Sequence, residues 1–332
     1  MAEMIQFFKI FRSHRYGGKN ENNKSGPAAK MSNVRTGNSG GRVMGRMVLA
    51  GGGHAHMAIL EAIPELTAGG HTVTVVGPGE RHYYSGMGPG MLGGVYLPEE
   101  ISIQVRAMVE ERGGVFIQGK VTAIDAFRRI VFTEAGREIP YDVLSCNLGS
   151  FVPMDIVHEA TNSIFPVKPI ENLLAARKRI LDIAGKRQVR IGVCGGGPAA
   201  FEVAGNAWAA AREKSGRGSV VEIFTGTRPL KAMPEKVRRL ARRDFERRNI
   251  RIISDSYVAR VEPDGIRLEN GKLYPHDIAL IAVGVRPSRV FVESGLPVGP
   301  DGGLLVNRYL QSVAHPAIFG GGDCISFEAM PL

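Results

Sequence analysis

Two glycine-rich segments stand far apart in this chain of 332 residues, Gly51-Gly52-Gly53-His54-Ala55-His56 and Gly195-Gly196-Gly197-Pro198-Ala199-Ala200. Each follows a short apolar run and precedes an alanine-containing stretch of helical character. Strand, glycine turn and helix, in that order, make the phosphate-binding unit of dinucleotide folds. Glycine lets the backbone turn sharply and approach a pyrophosphate, and the helix N-terminus presents unpaired amides and a partial positive charge. One such turn is a weak signal, but two in the same context imply two dinucleotide sites in one polypeptide. The length agrees, being too great for one ordinary core and suited to two or three domains.

The flanking patterns place the units. Residues 46–51 read as a strand, 54–66 as a helix and 72–76 as a second, β-branched strand; 188–194, 198–214 and 219–224 repeat the series. The first unit departs from the usual fingerprint twice. His56 stands at the position of the third glycine, and Gly77 replaces the acidic residue that closes the second strand, which leaves Glu80 for a ribose contact. His54 and His56 have a spacing found in some metal sites, but no cysteine or carboxylate cluster accompanies them. Both are expected to pack at the helix start beside the cofactor. Residues 81–91, rich in glycine and aromatics, are expected to form a loop bordering the ligand crevice, with Tyr83 and Tyr84 stacking or donating hydrogen bonds.

The formal charge of +10 suggests nucleic acid only until it is located. Residues 1–46 hold nine basic groups against Glu3 and Glu21, so +7 of the charge lies there. The basicity belongs to a tail (1–45) too poor in apolar residues after Phe11 to pack and expected to be disordered, and nucleic acid is not an expected partner. Residues 4–12 have the make-up of a short basic amphipathic helix, a membrane-touching or targeting segment; the plainer reading is a passive tail. No run of 18 apolar residues occurs, and the three cysteines, Cys146, Cys194 and Cys324, have neither disulfide-framework nor zinc spacing.

Residues 121–124, 130–132 and 141–146 read as short strands closed by Leu148-Gly149-Ser150. From here the chain resembles the two-dinucleotide-domain flavoproteins of the pyridine nucleotide-disulfide oxidoreductase superfamily. Gly284-Val285-Arg286-Pro287 is similar to the segment that returns the chain to the flavin domain, although Val283 stands where a threonine is usual, and Gly320-Gly321-Gly322-Asp323 is similar to the third flavin element. No closely spaced cysteine pair is present for a disulfide reductase. The chain is instead similar to the type II NADH dehydrogenase and sulfide-quinone reductase side. It is more similar still to the flavoprotein domain joined to selenide, water dikinase, which has a like Gly-Gly-Gly-His-Ala-His turn and Tyr-Ser-Gly-Met-x-Pro-Gly-Met loop.

The resemblance implies an α/β protein with two Rossmann-like domains, the NAD(P)-binding one (166–287) inserted in the FAD-binding one (46–165 and 288–332), and a C-terminal domain missing after Leu332. It implies FAD at Gly51, Gly53, His54, Ala55, His56, Glu80, Tyr84, Gly149, Gly322 and Asp323. In similar proteins the aspartate at the last of these positions holds the ribityl chain, and a helix after it faces the flavin. NAD(P)H is implied at Gly195, Gly197, Pro198, Ala199, Ala200, Arg228 and Gly284, with Glu202 near the nicotinamide and Pro89 a second positional candidate for catalysis. The acidic residue that would select NAD is absent, Thr225 standing there, while Arg228 suits a 2′-phosphate; the sequence decides for neither nucleotide.

Cys324, after Asp323 at that helix start, is the thiol to watch, although a structural role is the commoner one. The function implied is hydride transfer from NAD(P)H to FAD and onward to an unidentified acceptor, quinone among the candidates. The alternatives are a sulfide-quinone-type oxidoreductase and a flavin-binding accessory module of selenium metabolism without turnover. A homodimer and a cytoplasmic location, with peripheral membrane or quinone contact, complete the expectations.

Overall fold

The computed structural model describes residues 44–159, 161–214 and 219–327. The tail up to residue 43, with its segment 4–12, lies outside the described residues, as do positions 328–332. Ten strands build two parallel sheets: β1 (Arg46–Ala50), β2 (Thr72–Gly77), β3 (Val115–Gln118), β4 (Val143–Cys146), β5 (Ile164–Pro166), β6 (Val189–Cys194), β7 (Ser219–Phe224), β8 (Ile250–Ile253), β9 (Ile278–Ile281) and β10 (Ile318–Gly320). The first sheet runs β10-β4-β1-β2-β3 and the second β5-β9-β6-β7-β8. The strand order reverses beside β1 in one and β6 in the other, which is where open α/β sheets bind ligands. The expected two-Rossmann α/β fold is therefore present.

These strands form because their apolar runs can be covered on both faces. In β9 all four side chains, Ile278-Ala279-Leu280-Ile281, are buried, each Ile or Leu contributing about 1.5–3 kcal/mol. Helices α1 (Gly88–Gly93), α2 (Glu171–Ala184) and α3 (Pro198–Lys214) share one apolar cluster on one face of the second sheet. An antiparallel meander (Val258–Glu262, Gly265–Leu268, Leu273–Pro275) covers the other face. The first sheet repeats the plan, with Ile63–Ala68 and Val105–Glu110 on one face and the meander Val121–Asp125, Ile130–Thr133, Glu138–Pro140 on the other.

Three expectations are corrected. The helix expected over 54–66 is a 3-10 turn, His54–His56, followed by two short helices, Met57–Glu61 and Ile63–Ala68. Pro64 has no N–H for the Leu60 carbonyl and so prevents one continuous helix. Residues 81–91 are not a loop: Arg81–Tyr83 pairs with Ser102–Gln104, and α1 drives Met91 and Leu92, 1% and 0% exposed, into the core of the second sheet. The domain boundary expected at 165/166 falls inside β5, which pairs with β9. The chain crosses between the sheets earlier, at a two-stranded antiparallel neck where Ser150 faces Pro287 and Phe151 faces Arg286. Among the described residues no helix is long and apolar enough to cross a membrane.

Candidate functional site

At the end of β1 the chain turns through Gly51, whose φ of +95° suits glycine. Gly51 N donates to Val76 O (2.7 Å) and Asn147 N to Ala50 O (2.8 Å), which fixes the turn between β2 and β4. A Cβ at Gly51 would stand 2.1 Å from the Asn147 carbonyl oxygen. His56 supports the turn from beneath. It is buried, its Nδ1 lies 2.7 Å from Gly51 O and its Nε2 3.0 Å from Ser145 Oγ. The pairing fits a neutral ring donating to the carbonyl and accepting the serine hydroxyl. Burial pushes its pKa down to about 4. His56 thus replaces the fingerprint glycine as a strut behind the turn and does not reach the ligand space. His54 is exposed, its ring 4.9 Å from that of Tyr84.

In front of the turn lies a cavity of about 410 Å³. Gly51–Gly53, Gly77–Gly79, His82, Ser150 and Lys168 are among the residues that line it. Gly51, Gly53, His54, Ala55, Gly149, Gly322 and Asp323 line it; His56, Glu80, Tyr84 and Pro89 do not. Glu80 forms a 3.0 Å ion pair with Arg106, and Pro89 opens α1.

Two lining residues, Lys168 and Asn147, carry no signal in the sequence, and a third, His82, belongs to the segment expected to border the crevice. Lys168 Nζ donates to Asp323 Oδ2 (2.5 Å) and Ser150 Oγ (2.9 Å), and the serine hydroxyl is 3.0 Å from the same carboxylate oxygen. The lysine holds the Asp323 carboxyl below the usual carboxylate range. His82 is pushed down as well, by burial and then by His54 and Lys168. Asn147 is 7% exposed, lines the cavity, and its amide Nδ2 has no partner among the described residues. An unpaired buried donor costs about 1–3 kcal/mol, and here a ligand would relieve that cost. The donor, the cation and a turn that excludes any Cβ suit a long, anionic, hydroxyl-bearing molecule, and FAD fits this description.

Cys324 has the structural surroundings read as the commoner case, and the helix expected after it is what the structure corrects. The Cys324 side chain is fully buried, its sulfur 3.4 Å from Gly321 O and 3.5 Å from Cys146 O, and burial pushes its thiol up to about 11. No helix N-terminus activates it, because Ile325–Phe327 is a strand paired with Leu304–Val306. Cys146 and Cys194 are buried with raised pKa values too.

The second turn has the same backbone. Gly195 N donates to Phe224 O (2.9 Å) and Ala282 N to Cys194 O (2.8 Å). A Cβ at Gly195 (φ +144°) would lie 2.2 Å from Ala282 O, and one at Gly196 2.6 Å from Thr225 O. Pro198, Ala199 and Ala200 open α3 beside Gly197, Ala200 fully buried. Glu202 is exposed one turn further along, Arg228 is exposed on the loop after β7, and Gly284 (φ +102°) follows β9.

Comparison with known proteins agrees with this geometry. A family model described as pyridine nucleotide-disulphide oxidoreductase matches residues 45–331. An NAD(P)H nitrite reductase of Bacillus subtilis is 26% identical over 295 residues, 84% of this chain and 34% of that protein. A type II NADH:quinone oxidoreductase of Haemophilus influenzae is 25% identical over 222 residues, 57% of this chain and 50% of that protein. The chain thus spans a third to a half of the length of these two relatives. The covalent putidaredoxin reductase–putidaredoxin complex superposes with a TM-score of 0.72 at 20% identity, covering 85% of this chain and 68% of that one. FAD and NAD(P)H are the dinucleotides that fit its two turns, and the chain belongs to the pyridine nucleotide-disulphide oxidoreductase family.

Proposed function

We propose that the protein carries hydride from NAD(P)H, bound at Gly195–Gly197, to FAD lying in the cavity at Gly51–Gly53, and passes electrons on to a quinone. The observation that carries this reading is the composition of that cavity. The first unit supplies the phosphate turn, while Lys168 to Glu171, at the entrance to the second unit, line the same cavity, Lys168 paired with Asp323. A molecule filling it meets both units.

FAD supplies the redox chemistry when bound, accepting a hydride from NAD(P)H with a proton from water. The chain's residues bind and orient. The Gly51 turn and the amides after it face a pyrophosphate, Asn147 donates its free N–H, and Asp323 accepts from sugar hydroxyls while Lys168 supplies a cation beside it. No strong acid or base is needed, because hydride transfer depends on holding two rings in contact. A dithiol relay has no support, since all three cysteines are buried, and this also disfavours the sulfide-quinone alternative. Quinone as acceptor is supported by the likeness to the Haemophilus quinone oxidoreductase.

The test is an anaerobic visible spectrum of the FAD-reconstituted protein titrated with NADH and with NADPH, then with a short-chain ubiquinone. Bleaching by a nucleotide and recovery on quinone are expected. Bound flavin that neither nucleotide bleaches would overturn the reading.

A further inference from the structure

The carboxyl end of β7 reads the adenosine ribose of whatever dinucleotide the second turn takes. In strand–turn–helix sites a carboxylate there holds a free 2′-hydroxyl, whereas an arginine accommodates a 2′-phosphate. Residues 224–234 contain no carboxylate. The acidic groups around them are engaged: Glu222 is buried with Arg251 2.9 Å away, Asp255 pairs with Lys272 at 3.4 Å, and Glu235 pairs with Arg238.

The segment after β7 is instead cationic and anchored. Leu230 N donates to Gly196 O at 2.7 Å, which folds the segment back onto the nucleotide turn itself. Gly226 (φ +64°) admits no side chain, since a Cβ there would lie 2.4 Å from the ring of Tyr257. Thr227 Oγ1 is 3.2 Å from the Tyr257 hydroxyl, and that ring remains 53% exposed. Arg228 and Lys231, both exposed, form no ion pair among the described residues.

Resting on the reading of the second turn as a NAD(P)H site, we infer that this edge is a 2′-phosphate subsite and that the chain takes NADPH in preference to NADH. Arg228 is the specificity residue, its fork matching phosphate oxygens. Lys231 adds charge, the Thr227 hydroxyl a donor, and Tyr257 a face for adenine. A free 2′-hydroxyl finds no carboxylate to hold it.

The experiment uses the full FAD-reconstituted chain with two probes that differ only in the 2′-phosphate, adenosine 2′,5′-bisphosphate and 5′-AMP, measured by calorimetry. The bisphosphate is expected to bind at least roughly tenfold more tightly, Arg228→Ala to remove most of that margin and Arg228→Lys to restore part of it. Flavin bleaching is then compared for NADPH and NADH, with NADPH expected to lead by a similar factor. Equal binding of the two probes, no binding of either, or a margin untouched by Arg228→Ala overturns the inference, whichever nucleotide reduces the flavin. Tight bisphosphate binding lost in Arg228→Ala, with no bleaching by either nucleotide, upholds the subsite and sinks the hydride-transfer reading instead.

Discussion

The two glycine turns share a backbone and differ in what stands behind it. In each, the first glycine donates to the strand on one side and crowds a carbonyl on the other, Asn147 O in the first turn and Ala282 O in the second. Behind the first is a polar strut, His56 with Ser145, and an unpaired amide at Asn147. Behind the second is apolar packing by Ala200 and an unbroken helix of 17 residues. The lesson is that backbone geometry makes the dinucleotide turn, while the supporting side chains can be exchanged wholesale for groups of different polarity.

The largest effect should come from breaking each turn separately. Alanine at Gly51 or Gly195 combines a left-handed φ with a carbonyl clash, costing on the order of 3 kcal/mol at each turn. Purified Gly51→Ala is expected to carry less than roughly a tenth of the parent's FAD. Gly195→Ala should keep its flavin yet resist bleaching by nucleotides, and equal flavin loss in both variants would mean that the turns are not independent.

Next comes a test of the strut. The folded-state pKa of His56 is lowered, so its contribution is complete above pH 6.5 and is lost as pH falls toward 4, the unfolded chain binding the extra proton. Denaturant unfolding of the apoprotein should lose up to about 3 kcal/mol over that window. His56→Asn should flatten the slope, and an unchanged slope would assign it to other groups.

Lys168→Met is expected to weaken FAD binding roughly tenfold by removing the cation from Asp323. Flavin fluorescence during titration of the apoprotein measures this. The smallest effect sharpens the contrast between supports: Asn147→Leu removes a buried unpaired donor and should stabilise the apoprotein by about 1 kcal/mol in urea while lowering flavin affinity.

Much of this was legible in the sequence because it is local. Both glycine turns and their flanking strands are written in contiguous residues, and Val73, Val75 and Val76 announce β2 wherever they pack. Distance hid the rest. Lys168 meets Asp323 across 155 positions, and His56 meets Ser145 across 89. Helix α1 was hidden for another reason. Gly88-Pro89-Gly90 has poor intrinsic helicity, and burial of Met91 and Leu92 against α2 and α3 overrides that propensity. Around Cys324 the error was one of analogy, with a helix expected where Ile325–Phe327 pairs as a strand.

The neck at Ser150–Phe151 and Arg286–Pro287 makes the second sheet separable from the first in a way the strand list alone does not reveal. Because departure and return are hydrogen-bonded neighbours, cutting out everything between them leaves two ends already side by side, close enough for a tight turn to join. No strand of the first sheet would be severed. A single recombination event at that point could therefore add, remove or replace the whole second sheet with its covering elements while leaving the first sheet intact.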